Sequence, residues 1–318
     1  SEEAVAEVFV RINSEGKSLN QADFILTLMS VFWDEGRSQL EEFCRDAREP
    51  STGEASPFNY FITPSPDQLL RVSVMLGFKR ARLQTVYSIL RGKDLESEEF
   101  DVQRRESQFE ALKKAQALTL NLNYWHDFMS CLRSAGFRSG HMITSNNALV
   151  FSYLLYLLAR CEYNVERHEV RPLIAQWFFM SSLTGRYTTS APESRMEFDL
   201  AQLRSVNTAE AFISLLHSVC ESSLPDDFWT VTLPNQLASS SARTPGLSAF
   251  NASLILQQAT ALYSNIPLSD LWDPSINTPR HAVERHHLFP RAYLERNGVS
   301  GVRSTNQIAN YAYIEWED

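Results

Sequence analysis

The chain has 318 residues, of which 44% are hydrophobic and 21% charged, with a formal net charge of −9. That balance matches ordinary globular proteins and excludes a disordered or fibrous chain, while the length exceeds what one hydrophobic core serves, about 250–300 residues. The acidity also excludes a protein that holds nucleic acid through its overall charge, so any contact with phosphates has to come from a local basic strip.

Residues 2–10 are rich in helix formers and set Val5, Val8 and Phe9 on one face, which predicts a short helix whose opening acids suit a helix N-terminus. Asn13, Ser14, Glu15 and Gly16 break it, with Gly16 able to take the positive φ that a tight turn needs. Asn20 then offers an N-cap for a second helix through Ala22, Phe24, Ile25, Leu28, Met29 and Phe32. Prolines and a glycine across 49–66 make a continuous helix improbable there and predict a boundary.

From 67 to about 217 the apolar spacing is helical almost throughout: Leu69, Leu70, Val72 and Val74, then Phe109, Leu112, Ala115 and Leu118, then Leu173, Ile174, Trp177 and Phe178. With ordinary helix and loop lengths the stretch holds about seven to nine helices. Its richest apolar run, 148–159, is shorter than the roughly 20 residues a membrane span needs, so it reads as a buried core helix and no membrane is expected. The acidic opening lacks the basic start of a signal peptide, and Cys44, Cys131, Cys161 and Cys220 lie far apart with no CxxC pair. Both features predict a cytoplasmic protein with reduced, mostly buried thiols.

Basic clusters at Lys79, Arg80 and Arg82, at Arg104 and Arg105, and at Lys113 and Lys114 read as solvated helix faces, with tracking of a DNA backbone as the alternative. The serine pairs lack a GxSxG context, so a serine hydrolase is not supported. A second irregular stretch around Ser239, Ser240 and Ser241 precedes one more helix, expected over 247–263.

The residues that carry chemistry lie at the C-terminal end, where HAVERHHLFPRAYLERNG is followed by NQIANYAYIEWED. His286 and His287 close a short strand, Pro290 stops it, and Ala292, Tyr293 and Leu294 form a helical turn; a second strand is expected over 311–314. An imidazole titrating near neutral pH can take a proton from water, and phosphodiester hydrolysis needs such a base together with a cation for the charge developing on phosphate. Adjacent strand residues face opposite ways, so both histidines can serve one site only across a twist or a bulge.

HHLFP with Asn310 downstream resembles the HNH, or ββα-metal, nuclease motif in the version found in the domain of unknown function 1524. The resemblance implies a metal-dependent DNA endonuclease in which His287 is the general base, His286 a metal ligand and Asn310 the residue that orients the base, with Mg²⁺ or Mn²⁺ as cofactor. It also implies a further ligand on a helix about eight to ten residues past the asparagine, at or beyond Asp318, so the motif is incomplete in this chain. Glu315, Glu317 and Asp318 lie close by without being assigned as ligands, and His281 reads as a loop residue.

Near the other end, Phe9, Arg11, Asn13, Gly16 and Leu19 resemble the FxRxNxxGxxL signature that closes the domain of unknown function 262, a ParB-like fold. In GmrSD-type modification-dependent restriction enzymes that domain precedes an HNH domain. The resemblance implies phosphate or nucleotide contact through Arg11, Asn13 and Lys17, beside a reading in which Arg11 and Asn13 only tie two helices around a turn. The family's DGQQR-like segment is missing, so use of a nucleotide is expected only of a longer protein.

The expected whole is mainly α: the end of a ParB-like region over 1–48, an all-helical domain over 67–233, and a helix with an HNH-like motif over 247–318. The first functional expectation is a restriction or phage-defence endonuclease acting on foreign DNA, modified DNA included, with self-association into a homo-oligomer as a further expectation. The alternative is a non-catalytic helical module that binds nucleic acid or a partner through a degenerate HNH end, which the net acidity favours.

Overall fold

Apolar residues at helical spacing order the chain from its first described element. In the computed structural model, which describes residues 21–94, 97, 99–239, 244–276 and 283–315, helix α1 (Gln21–Phe32) buries Ala22, Ile25, Leu28 and Met29 along one stripe. Helix α2 (Asp34–Asp46) follows, with acids in its first turn and Leu40, Phe43 and Cys44 turned inward. The expected helix over 2–10, the turn at Gly16, the cap Asn20 and the candidate phosphate contacts Arg11, Asn13 and Lys17 lie outside the described residues.

Helix α3 (Pro66–Phe78) starts where the sequence supplies a capping box. Ser65 Oγ accepts from the Gln68 N–H at 3.3 Å, Gln68 Oε1 accepts from the Ser65 N–H at 2.9 Å, and Pro66 sits in the first turn. After α4 (Leu83–Leu90), helices α5 (Val102–Thr119), α6 (Leu122–Ser134) and α7 (Asn146–Leu157) are capped by Asp101, Asn121 and Ser145, each accepting a first-turn N–H. Helices α8 (Arg167–Thr184), α9 (Pro192–Gln202), α10 (Ala209–Ser223), α11 (Leu233–Leu237) and α12 (Pro245–Leu256) complete the helical body. In it α8 touches α6, α7, α10 and α12, and α3 lies against α5 and α7.

One contiguous cluster of buried apolar side chains runs through this body from Ala22 to Ile255. At its centre Tyr153 packs against Trp125 and Phe128, with ring centroids 5.2 and 5.0 Å apart. The boundary expected at 49–66 does not interrupt the cluster. Phe61 and Ile62 are buried in it, Trp125 Nε1 donates to Pro57 O at 2.8 Å, and Ile25 and Leu40 share it with Leu69 and Leu70. The prolines prevent a helix there, but apolar residues between them still reach inward, so the described part of 1–48 does not stand apart from the helical domain.

The helix expected over 247–263 stops at Leu256. Gln258 takes a φ of 56° and the Ala259 N–H returns to Leu254 O at 2.9 Å, which turns the chain into an extended course. There the Leu262 N–H donates to Tyr313 O at 2.7 Å, so sheet bonding replaces the last helical turns. After α13 (Leu268–Leu271), strands β1 (Val283–His287) and β2 (Tyr311–Glu315) form a two-stranded antiparallel sheet. Its register is unbroken, from Val283 opposite Glu315 to His287 opposite Tyr311. Helices α14 (Arg291–Arg296) and α15 (Val302–Thr305) and a 3₁₀ turn (Ile308–Asn310) join the strands.

Under the sheet lies a second small cluster of Ala261, Leu268 and Tyr313, with the Trp272 ring edge-on at 4.7 Å from Tyr313. Two polar ties fasten it to the body: Tyr313 Oη donates to Asn251 Oδ1 on α12 at 2.5 Å, and Arg133 of α6 reaches the buried Asp273 at 2.5 Å. Among the described residues no helix is long and apolar enough to cross a membrane.

Burial works against the charged form of Asp273, but hydrogen bonds from Ser275 and the Arg133 guanidinium outweigh it and hold the carboxyl below its usual range. A carboxyl whose folded pKa lies under an unfolded value of about 3.9 adds stability above that pH and loses it as pH falls through the folded value. Asp273→Asn is therefore expected to cost about 1–3 kcal/mol at neutral pH, and the gap between thermal melts of wild type and variant should narrow as pH falls from about 4 through the folded value.

Candidate functional site

Strand β1 is short, and the chain beyond it is held by side-chain amides rather than by apolar burial. His287 closes the strand opposite Tyr311, whose ring lies 4.6 Å from the imidazole at 42°. The Leu288 N–H donates to Asn310 O at 2.8 Å, extending the pairing one step. The Phe289 N–H then donates to Asn310 Oδ1 at 2.9 Å, while Asn310 Nδ2 donates to Phe289 O and to Thr305 O, both at 3.0 Å. An asparagine can stand in for a strand partner in this way because its amide offers a donor and an acceptor side by side, as a peptide group does. Pro290, with φ fixed at −56°, then leads into α14.

The imidazole itself meets a different asparagine. Asn306 Oδ1 lies 3.1 Å from His287 Nε2, and because a carbonyl oxygen only accepts, the contact is a hydrogen bond in the tautomer that places the proton on Nε2. The end of α15 holds Asn306 in place, its N–H donating to Val302 O at 2.9 Å. The motif assigns orientation of the base to Asn310; in the structure the Asn310 amide is taken up by the backbone of Phe289 and Thr305, and Asn306 reaches the ring. Both asparagines stand in the string NQIAN, and only the 3₁₀ turn between them sends their side chains to different tasks.

His286 pairs with Ala312 and is exposed. Directly opposed strand residues share a face, so the unbroken register puts His286 with Ala312 on one side and His287 with Tyr311 on the other. The structure does not bring the two imidazoles onto one face. Among the described residues no group of three or more His, Cys, Asp or Glu side chains is placed to hold a metal ion, and Glu315 accepts a hydrogen bond from Ser264 Oγ. His281, Glu317 and Asp318 lie outside the described residues.

The basic clusters of the helical body are engaged with acids of the same body. Lys79 lies 2.6 Å from Glu162, Arg80 2.9 Å from Glu197, Arg104 3.2 Å from Asp94 and Lys113 2.7 Å from Glu110. Arg105 covers the Phe32 ring at 4.1 Å. Residues 283–315 hold Arg285, Arg291, Arg296 and Arg303 against Glu284, Glu295 and Glu315, and Arg291 lies 2.7 Å from Glu295. Burial pushes the thiols of Cys44, Cys131 and Cys220 up to about 12, which keeps them protonated and unreactive at neutral pH.

No protein-family model, curated protein or solved structure matches the chain.

Asn310→Asp keeps the acceptor for the Phe289 N–H and replaces both donated hydrogen bonds by repulsion between a carboxylate and two carbonyl oxygens. The turn is expected to lose about 1–3 kcal/mol of local stability. Faster hydrogen exchange at the Leu288 and Phe289 amides, with exchange in α8 unchanged, is the measurement that checks it.

Proposed function

We propose that the C-terminal hairpin is the catalytic end of an HNH-like DNA endonuclease, with His287 as its general base. The observation that carries this reading is the contact between His287 Nε2 and Asn306 Oδ1, which orients the ring at a half-buried strand end and suits the tautomer in which Nδ1 is the acceptor. In the base step Nδ1 takes a proton from water as the water oxygen bonds to phosphorus and the bond to the leaving ester oxygen breaks. The Nε2–H to Asn306 bond strengthens as the ring gains charge, so Asn306 favours that proton uptake. Asn310 acts at one remove, by holding the backbone that follows the base.

The described residues do not assemble a ligand set for the divalent cation, Mg²⁺ or Mn²⁺, that the motif implies, and no step is assigned to it. The order of the two motifs, Arg11 and Asn13 ahead of His287 and Asn310, supports a restriction or phage-defence role on foreign DNA. One observation favours a second reading, a non-catalytic module that binds nucleic acid or a partner through the hairpin: His286 and His287 face opposite ways.

Plasmid nicking in Mg²⁺, in Mn²⁺ and in EDTA separates the two. On the first reading wild type nicks DNA, His287→Ala lowers the rate about 10²- to 10⁴-fold, and Asn306→Ala lowers it less. Unchanged nicking by His287→Ala would remove His287 from the mechanism, and absence of nicking by wild type in either metal supports the second reading.

A further inference from the structure

Phe289 and Tyr293 are large aromatic side chains left half in water, 53% and 49% exposed, and their rings stack on one another with centroids 6.0 Å apart at 23°. Neither belongs to either apolar cluster near the hairpin. The backbone that carries both rings is tied down, and the rings lie against each other. Asn310 holds Phe289 at both its N–H and its C=O, and the Tyr293 N–H donates to Pro290 O at 2.9 Å in the first turn of α14. The result is a preset aromatic face two residues from His287.

Guanidinium groups stand beside it in an acidic chain. Arg296 lies on α14 with Tyr293, as does Arg291, which is 2.7 Å from Glu295, and the exposed Arg285 covers the Tyr311 ring at 5.2 Å, beside His287. The whole chain carries a formal net charge of −9, and Lys79, Arg80, Arg104 and Lys113 of its helical body are paired with acids. Flat apolar rings framed by guanidinium groups complement bases strung on phosphates, and every base has a π-face to stack. A base inside an intact duplex keeps both faces against its neighbours, so the fitting partner is an unstacked base.

We propose that Phe289 and Tyr293 form a stacking platform for an unpaired base of a nucleic-acid strand, single-stranded or locally opened, held beside His287. The proposal deepens the nuclease reading and rests on it only for its consequence, that the phosphate to be cut adjoins the stacked base. Binding to the platform needs no catalysis.

The test titrates the full chain, without metal, against a labelled oligothymidylate, the same strand carrying abasic residues, and a duplex. A strand containing 2-aminopurine reports stacking directly. Wild type is expected to prefer the single strand with bases over the abasic strand and the duplex, and to quench 2-aminopurine. Phe289→Ala combined with Tyr293→Ala should weaken binding of the base-bearing strand about tenfold or more and abolish the quenching, while its melting temperature stays that of wild type. Phe289→Trp should retain both signals.

Equal affinity of the double variant, or an equal loss on the abasic strand, would overturn the proposal. So would a concentration-dependent dimer in sedimentation that the double variant abolishes, since a second copy would then own this face. A protein that stacks bases and never nicks DNA retires the nuclease reading alone; one that nicks DNA with stacking unaltered in the double variant retires the platform alone.

Discussion

A helix that is apolar on every side has to be surrounded, and α7 imposes that constraint on the chain. Residues 148–157 are all buried, so the helix has no face to offer water. Ser152 Oγ finds no partner, but the hydroxyls of Tyr153 and Tyr156 fix where neighbours lie, because a buried polar group without a partner is costly. Tyr153 Oη donates to Thr119 O at 2.8 Å, at the end of α5, and Tyr156 Oη donates to Asp127 Oδ2 on α6 at 2.7 Å. Asp127 also takes Arg167 Nε at 2.7 Å and Arg171, which ties α8 to the same point. Apolar burial thus draws helices toward α7, and a few hydrogen bonds choose their registration.

The hairpin stands at the opposite extreme. Two five-residue strands are marginal by themselves, and this sheet depends on the helical body for its stability. Tyr313 supplies one ring to the small cluster and one hydroxyl to α12, and Leu262 adds a backbone bond along β2. The seat is fixed because α6 and α12 approach closely: Gly136 has a φ of 88°, and a Cβ there would sit 2.4 Å from Ala252 O. Residues 288–304 project from this seat with none of them buried, and the chain returns to it at Ile308, which is buried and donates its N–H to Ser239 O. That accounts for the dependence of the turn on Asn310 and Asn306, and it leaves the candidate base open to a substrate as large as a polymer.

The helical body was legible because its signals are local. Apolar residues at helical spacing, such as Phe109, Leu112 and Ala115 or Leu173, Ile174 and Trp177, mark helices within a turn or two, and Pro290 marks the end of a strand by chemistry just as local. The features that were not legible depend on partners distant in sequence. The helix beginning at Pro245 keeps its apolar spacing past Leu256, yet it stops there because Leu262 bonds to Tyr313 in β2. The charges of Lys79 and Arg80 were visible, but Glu162 and Glu197, which engage them, lie on other elements. The alternation of strand faces was known from the first; that no bulge relieves it between His286 and His287 is a property of register, and register belongs to the pair of strands. The separate duties of Asn306 and Asn310 depend likewise on how the 3₁₀ turn is wound.

Net acidity counted against nucleic acid when charge was read as a total, and its distribution reverses the argument. On the nuclease reading, a body in which Lys79, Arg80 and Lys113 are tied to its own acids would attract phosphates little, while the hairpin sets Arg285 over the Tyr311 ring that lies against His287. Screening confines both effects to about 8–10 Å at ordinary salt, so they act as local boundaries rather than as a long-range field. The weak pull along the helices and the attraction at the hairpin then work in the same direction. On that reading a strand would be kept off the scaffold and admitted where the imidazole and the exposed rings stand, and an acidic chain would gain from its charge not overall affinity but a restriction on where a polyanion can settle.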